Sequence, residues 1–184
     1  MQSQEIKIRA LELSDIPILA KLANNCKIWD NLRDYFPHPY TESDAKVFIN
    51  MTSKQHPQQS FGITYKDVLC GVISLVIQND VYRQSAEIGY WIGEPYWGKG
   101  IATKAVDLIT RYGFEKLNLI RIYAGIFENN VASMKILEKN GYVNEGISPK
   151  AITKNGVILN EHRYYLINNY YKDNQSNEIS HISK

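Results

Sequence analysis

The residues with the clearest chemical potential form a glycine-rich segment between a predicted strand, Ala86–Ile92, and a predicted helix, Ile101–Lys116. The segment reads Trp97-Gly98-Lys99-Gly100-Ile101-Ala102-Thr103. Glycine lets a backbone approach a ligand closely because it has no Cβ. The first amides of a helix lack partners within the helix and favour negative charge. The segment therefore predicts a phosphate or pyrophosphate site, although an ordinary glycine turn with a helix cap would show the same residues.

Hydrophobic periodicity places this segment within a chain of mixed elements. Strands are predicted at Glu5–Leu11, Gln59–Tyr65, Leu69–Gln78, Ala86–Ile92, Arg121–Phe127, Tyr142–Gly146 and Val157–Ile167. Helices are predicted after a cap at Ser14, from Thr41 to about Met51, and over Ile101–Lys116 and Val131–Asn140. This order predicts an α/β (α+β) fold, in which helices flank both faces of a mixed sheet that is antiparallel first and parallel at its centre.

Length and composition bound the classes of function. The 184 residues are 44% hydrophobic and 22% charged, which predicts one soluble domain over residues 1–170 with a polar, disordered tail over 171–184. A net charge of +2 disfavours a nucleic-acid partner, and the apolar runs are too short for a membrane span. The two cysteines and four histidines lack ligand spacing, so we expect no metal and a cytoplasmic protein.

The glycine-rich segment resembles the acetyl-coenzyme A (acetyl-CoA) motif of the GNAT acetyltransferase superfamily, whose pattern is Gln/Arg-x-x-Gly-x-Gly/Ala. Gly100 and Ala102 match that pattern, and Trp97 stands where the polar residue usually is. The longer run Tyr96–Ala105 is similar to the RimJ/RimL branch, which acetylates N-terminal amines of ribosomal proteins.

Two further segments support the same resemblance. Asn130–Ser133 followed by Leu137–Tyr142 is similar to the second motif of the RimJ/RimL branch, and Phe36–Thr41 resembles its early substrate-side loop. Together the segments cover the chain from about Ile6 to Ile167. The resemblance implies a GNAT fold that uses acetyl-CoA as cosubstrate.

The resemblance also implies how acetyl-CoA would be held. Its pyrophosphate would lie on the amides from Gly98 to Thr103, and its pantetheine arm would fill a gap between the splayed strands Ala86–Ile92 and Arg121–Phe127. One backbone amide of that first strand would polarise the acetyl carbonyl. The implied cofactor-binding positions are Tyr90, Trp91, Ile92, Gly98, Lys99, Gly100, Ile101, Ala102, Thr103 and Asn130.

Glu87 and Ser133 are the candidate catalytic residues. Glu87 matches a glutamate with which some GNAT enzymes deprotonate the amine through water, and an ion pair with a lysine or arginine is the alternative. Ser133 matches a serine that could protonate the leaving thiolate in RimL-like enzymes, whereas Leu137 replaces the tyrosine acid of many GNAT enzymes. Asn130 could cap its helix, contact the pantetheine arm, or do both. Glu161 is a weaker carboxylate candidate.

The aromatic residues of the connector Cys26–Tyr40 could form the acceptor pocket, or could simply pack over the first two helices. They are Trp29, Tyr35, Phe36, His38 and Tyr40. We expect a primary amine, foremost a protein or peptide N-terminus, to attack acetyl-CoA directly in a ternary complex. A small-molecule amine such as a polyamine, an amino acid or an antibiotic stays open, as does a CoA-binding sensor without activity. No membrane partner is expected, and the tyrosine-rich late strands could form a homodimer surface.

Overall fold

The computed structural model describes residues 6–169, and within them the central feature is one sheet of seven strands. The strands are β1 (Ile6–Arg9), β2 (Ser60–Tyr65), β3 (Val68–Ile77), β4 (Ser85–Ile92), β5 (Arg121–Phe127), β6 (Val143–Lys154) and β7 (Val157–Ile167). Their spatial order is β1-β2-β3-β4-β5-β7-β6. The β4–β5 pair is parallel and the other neighbouring pairs are antiparallel.

Helices cover both faces of this sheet. The helices are α1 (Ile16–Ala23), the single turn α2 (Cys26–Trp29), α3 (Glu42–Thr52), α4 (Ile101–Glu115) and α5 (Val131–Lys139). Ile109 of α4 and Leu137 of α5 are buried against Ile122 of β5 in one core cluster. Leu19 of α1 and Ile49 of α3 belong to a second cluster on the opposite face. The sheet therefore separates two apolar layers, as the sequence pattern predicts.

The alternation of β4 sends neighbouring side chains to opposite faces of the sheet. Ile88 and Ile92 belong to the core cluster under α4 and α5, and Tyr90 packs against that cluster. Trp91 packs against the cluster of α1 and α3. Glu87 shares the face of Trp91, because it lies an even number of residues away.

The parallel pair β4 and β5 separates after a short stretch of pairing. The two strands pair only at Ser85–Arg121, Ala86–Ile122 and Glu87–Tyr123. Both strands continue beyond that point, to Ile92 and Phe127. A gap therefore opens in the middle of the sheet, in the place where the resemblance to GNAT enzymes implies a splay.

Three of the element predictions were wrong in detail. Ser14 does not cap the first helix: it lies in a 3-10 turn, where Glu12 and Asp15 form the capping box. The connector after α1 contains the helical turn α2 rather than only loop. Strand β6 extends to Lys154 instead of ending at Gly146, because it pairs with β7 across two register shifts. The tail predicted over residues 171–184 lies outside the described residues.

A buried ion pair ties β1 to the start of the first helix. Arg9 donates two hydrogen bonds of 2.7 Å to the carboxylate of Asp15, whose side chain is only 7% exposed. Burial by itself would raise the pKa of Asp15, but the bonds from Arg9 and from the Glu12 amide outweigh it and lower that pKa. This contribution to stability is complete above the unfolded-state pKa of 3.8 and is lost as the pH falls through the lower folded-state value.

We expect Asp15→Asn to lower the free energy of unfolding by about 2 kcal/mol at neutral pH. Urea denaturation of both proteins at about pH 7 and about pH 3 measures this difference. The difference should shrink at the lower pH, where the wild-type carboxyl is partly protonated. Asp67→Asn is the control, because the ion pair of Asp67 with Lys7 is exposed and contributes little. An equal loss at both pH values would show that the charge of Asp15 does not matter.

Candidate active site

A cleft of about 530 Å³ opens at the splay, bounded by β4, the loop before α4, the start of α5 and the region of α2. All of the predicted cofactor-binding positions lie on its wall: Tyr90, Trp91, Ile92, Gly98, Lys99, Gly100, Ile101, Ala102, Thr103 and Asn130. Ser133 lines it as well. Within residues 6–169 the charged groups on the wall are lysines, and no acidic side chain joins them: Lys27, Lys99, Lys135 and Lys139.

The glycine-rich loop presents open backbone to the cleft. Gly98 and Gly100 have φ angles of +73° and +72°, a left-handed conformation that glycine adopts without strain. A Cβ at either position would meet no atom within 4 Å. No side chain caps α4, so its first amides keep their hydrogen-bonding capacity for a ligand. The loop can therefore hold an anionic group at the positive end of a fifteen-residue helix.

Trp97 and Lys99 fix the shape of this loop. The indole Nε1 of Trp97 donates a hydrogen bond of 2.6 Å to the carbonyl of Ile92, at the end of β4. The ammonium of Lys99 donates to the carbonyl of Pro95 at 3.0 Å and lies 5.4 Å from the centre of the Tyr96 ring. The tryptophan in the place of the family's usual polar residue thus joins the loop to β4.

The start of α5 forms the facing wall. The side-chain oxygen of Asn130 accepts a hydrogen bond of 3.2 Å from the Ser133 amide, so Asn130 caps the helix and also lines the cleft. Ser133 is buried, and its hydroxyl lies 2.8 Å from the hydroxyl of Tyr90. Burial raises the pKa of Tyr90 well above its ordinary value. The sequence resemblance implies a role only for the backbone of Tyr90, although the alternation of β4 places its side chain on the face of α5.

Glu87 lies on the other face of the sheet and does not line the cleft. Its carboxylate is paired with the guanidinium of Arg33, from the connector after α2, and its side chain is 19% exposed. The ion pair foreseen as an alternative is therefore present, although Arg33 comes from a loop and not from a neighbouring strand. Gly89 lies two residues after Glu87 on the same face of β4, and a Cβ there would meet no atom within 4 Å. Open space thus adjoins Glu87 where the strands separate.

Three residues of the predicted acceptor pocket form one aromatic group. The rings of Trp29 and His38 stack with centroids 5.4 Å apart. The indole Nε1 of Trp29 donates a hydrogen bond of 3.0 Å to the carbonyl of Phe36. Phe36 in turn lies edge-on to Trp91 of β4, at 6.3 Å. This group therefore contacts the face of β4 that carries Glu87.

The two remaining aromatic residues of the predicted pocket differ in their surroundings. Tyr40 is buried in the core cluster of α1 and α3, where burial raises its pKa to about 12. It stacks on Phe36 at 4.9 Å and supports that ring from behind. Tyr35 is 82% exposed. Tyr40 thus packs over the first helices, which is the alternative stated above for the aromatic residues of the connector.

The family assignment rests on sequence similarity over most of the chain. Residues 5–143 match the sequence profile of the acetyltransferase (GNAT) domain. The chain belongs to the GNAT acetyltransferase family. A probable N-acetyltransferase of Bacillus subtilis, YjcK, is 42% identical over 170 residues, which cover 85% of this chain and 91% of that relative.

Solved structures of GNAT proteins share the fold. The Vibrio cholerae spermidine N-acetyltransferase in complex with CoA and spermine has a TM-score of 0.74 at 26% identity, and the match covers 88% of this chain and 95% of that one. A RimL ribosomal α-N-protein acetyltransferase in complex with CoA has a TM-score of 0.77 at 23% identity, covering 90% and 95%. The predicted fold class, acetyl transfer and acetyl-CoA cosubstrate are confirmed, and the enzyme is favoured over the inactive sensor.

The residues of this GNAT cleft fit acetyl-CoA. The open loop with two left-handed glycines, the uncapped start of α4 and a wall with lysines but without acids all suit a polyphosphate. Lys104 and Arg111, farther along α4, are both paired with Asp107 and behave as an ordinary solvated helix face.

The long β6–β7 hairpin holds the connector in a way that the sequence did not indicate. Lys154 is 4% exposed, donates a hydrogen bond of 2.7 Å to Asp34 and lies 3.3 Å from the centre of the Trp29 ring. Beside it, the side-chain amide of Asn155 donates to Asp30 at 2.8 Å. The hairpin therefore fixes the segment that supplies Arg33 to Glu87.

One further carboxylate reaches toward the splay. The side chain of Glu161, on β7, lies directly against the backbone of Gly125 on β5. It occupies the space that a side chain on Gly125 would need. It accepts a hydrogen bond of 3.1 Å from Arg163. The expectation that Glu161 could point inward therefore agrees with its position, while its chemical role stays a prediction.

The described residues offer neither a metal site nor a membrane-spanning helix. Within residues 6–169 no group of three or more histidine, cysteine, aspartate or glutamate side chains could hold a metal ion. No helix in this part of the chain is long and apolar enough to cross a bilayer.

Proposed function

We propose that this GNAT enzyme acetylates the N-terminal amine of a protein or peptide, by direct attack of the amine in a ternary complex. The observation that carries the proposal is the position of two features beside the splay. Among the described residues, a cleft whose charged side chains are all lysines runs along the end of β4, and Glu87, with the open space at Gly89, lies outside that cleft on the face of Trp91. The acceptor would approach the splay from the Glu87 side.

Each side of the splay has its own task in the proposed reaction. Acetyl-CoA, when bound, supplies the activated thioester. The amides from Gly98 to Thr103 and the Lys99 side chain hold its anionic part, and a β4 amide between Tyr90 and Ile92 orients the carbonyl. Glu87 accepts the proton of the attacking amine through water.

Two carboxylates near the connector are already paired with cations of the protein, which supports an acceptor with a single amine over a polyamine. A polyamine site needs carboxylates that are available to several cationic groups. Here Asp34 is bound by Lys154, and Glu87 is bound by Arg33. These two carboxylates are already neutralised by the protein itself.

Similarity to the spermidine enzyme of Vibrio cholerae supports a second candidate, a small-molecule amine. A polyamine that binds Glu87 or Asp34 would have to displace Arg33 or Lys154, whereas Asp30 is held, among the described residues, only by the neutral side-chain amide of Asn155. A panel of amines distinguishes the two candidates.

The test of the proposed function is release of the CoA thiol from acetyl-CoA with different amines. The panel contains peptides that begin with alanine or serine, the same peptides with a blocked N-terminus, spermidine, free amino acids and aminoglycosides. We expect kcat/KM for the open peptides to exceed that for spermidine by about tenfold or more. Mass spectrometry should place the acetyl group on the α-amine. Turnover of spermidine alone would support the second candidate, and equal turnover of blocked peptides would contradict both.

We further propose that the enzyme works in the cytoplasm as a homodimer. Cys26 and Cys70 are both unpaired thiols, which agrees with a reducing compartment. Strand β6 is the outer strand of the sheet and exposes Val143 and Ile147; such an edge favours association. Of the late tyrosines, Tyr164 is buried and does not contribute to such a surface.

We expect light scattering to give twice the chain mass of 21.2 kDa. The double substitution Val143→Lys and Ile147→Lys should reduce the measured mass to that of one chain, because charged side chains on an edge strand oppose pairing. The lysine substitution Val157→Lys, at the hairpin turn away from the edge, should leave the mass unchanged.

A further inference from the structure

Two hydroxyl groups meet on the wall of the cleft, where β4 faces the first turn of α5. The hydroxyl oxygen of Tyr90 lies 2.8 Å from Oγ of Ser133 and 3.3 Å from the Ser133 carbonyl oxygen. Both residues line the cleft. A phenol is the better hydrogen-bond donor and an aliphatic alcohol the better acceptor, because the phenol is far more acidic. We therefore assign the single proton of Tyr90 to the shorter contact, so that Tyr90 donates to Ser133 Oγ.

This direction leaves the proton of Ser133 for the cleft. Among the described residues, the Tyr90 hydroxyl is the only hydrogen-bond partner of Ser133 Oγ. The backbone of Ser133 is fixed separately, since its amide donates to the Asn130 side chain at 3.2 Å. Burial raises the pKa of Tyr90, so the phenol keeps its proton throughout the neutral range and stays a donor.

We propose that Tyr90 is a positioning residue, whose hydroxyl holds Ser133 Oγ so that the Ser133 hydroxyl donates a hydrogen bond to the sulfur of coenzyme A. The inference rests on the proposed role of Ser133 in acetyl transfer. When the carbon–sulfur bond breaks, the electron pair stays on sulfur and the amine nitrogen forms the new bond to carbon. Ser133 then donates a hydrogen bond to the thiolate, and no proton leaves either hydroxyl.

The inference predicts a property of CoA binding that needs no acceptor. A hydrogen bond that favours the thiolate lowers the pKa of the bound thiol. The affinity for CoA, relative to desulfo-CoA without the sulfur, should therefore increase as the pH rises toward the pKa of the free thiol. The lysines that line the cleft also favour the thiolate, but they are unchanged in all of the variants compared: Lys27, Lys99, Lys135 and Lys139.

The experiment is calorimetric titration with CoA and with desulfo-CoA, from about pH 6.5 to about pH 9.5. We expect the ratio of the two affinities to increase with pH in the wild type. In Tyr90→Phe and Ser133→Ala the increase should be about tenfold smaller, the effect of losing one charge-assisted hydrogen bond. The double variant should behave like either single variant, because the two hydroxyls act as one unit.

Tyr142→Phe is the matched control. The Tyr142 hydroxyl lies 2.8 Å from the Thr110 hydroxyl, and burial raises its pKa as it does for Tyr90. Tyr142 is not on the wall of the cleft, so this variant should keep the wild-type ratio. An unchanged ratio in Tyr90→Phe, or an equal loss in Tyr142→Phe, would overturn the inference.

The same titrations separate this inference from the proposed function. A wild-type protein that binds CoA and desulfo-CoA alike at every pH would contradict the role of Tyr90 and Ser133, while acetylation of peptides in the amine panel would still support the acceptor. If the wild-type protein bound neither CoA nor desulfo-CoA, both the role of Tyr90 and Ser133 and the proposed function would be contradicted.

Discussion

Gly100→Glu should weaken the binding of acetyl-CoA by about 100-fold or more while the protein stays folded. The φ angle of Gly100 is +72°, and a Cβ there points into open space. A glutamate side chain would consequently extend into the cleft beside the uncapped start of α4. Its carboxylate would occupy the position suited to a phosphate and would repel the phosphates of the cosubstrate.

The control for this variant is Gly156→Glu, in the turn between β6 and β7. Gly156 has a φ angle of +74°, and a Cβ there also meets no atom within 4 Å. The two variants carry the same charge and the same backbone strain, of about 1–2 kcal/mol. Thermal unfolding should show similar losses of stability in both, and calorimetry should show loss of acetyl-CoA binding only in Gly100→Glu. Wild-type affinity in Gly100→Glu would mean that the loop does not hold the phosphates.

The features that the sequence predicted well depend on short stretches of chain. The glycine pair with its following helix lies within a few residues, and so does the Asn130 cap on the Ser133 amide. Strand β5 and strand β7 have the bounds that alternation predicts. Local backbone preference and side-chain periodicity determine such features, so one sequence is enough to locate them.

The features that the sequence missed depend on contacts between distant segments. Arg33 and Glu87 are 54 residues apart, and Lys154 and Asp34 are 120 residues apart. The length of β6 depends on its pairing with β7. No local pattern shows which partner a charged residue will find, because the partner is chosen by the folded topology. Lysine burial is rare without such a partner, and it is therefore hard to foresee.

Tyr90 is an intermediate case, because a signal for its position was present. In β4, Ile88 and Ile92 are buried under α4 and α5, and the period of two places Tyr90 between them on the same face. The resemblance to GNAT enzymes implies a role for the backbone of this strand and none for the Tyr90 side chain. The contact of the Tyr90 hydroxyl with Ser133 also depends on the position of helix α5, which connects β5 to β6.

The second large effect is expected at Glu87. Glu87→Gln keeps the size and shape of the side chain but removes its ability to accept a proton. We expect kcat for the amine found in the panel to fall by about 100-fold or more, the usual contribution of a general base. The KM for acetyl-CoA should stay near the wild-type value, because Glu87 does not line the cleft. Steady-state kinetics at saturating acceptor measures both quantities.

Arg33→Gln separates the chemical role of Glu87 from the structural role of its ion pair. Both substitutions remove the ion pair between Arg33 and Glu87, but only Glu87→Gln removes the carboxylate. Arg33 is 56% exposed, so loss of the pair should cost about 1 kcal/mol or less of stability in either variant. If Glu87 is the base, Arg33→Gln keeps kcat within about tenfold of the wild type. Equal losses of kcat in the two variants would instead show that the pair only fixes the connector, since the carboxylate would then have no effect beyond holding Arg33.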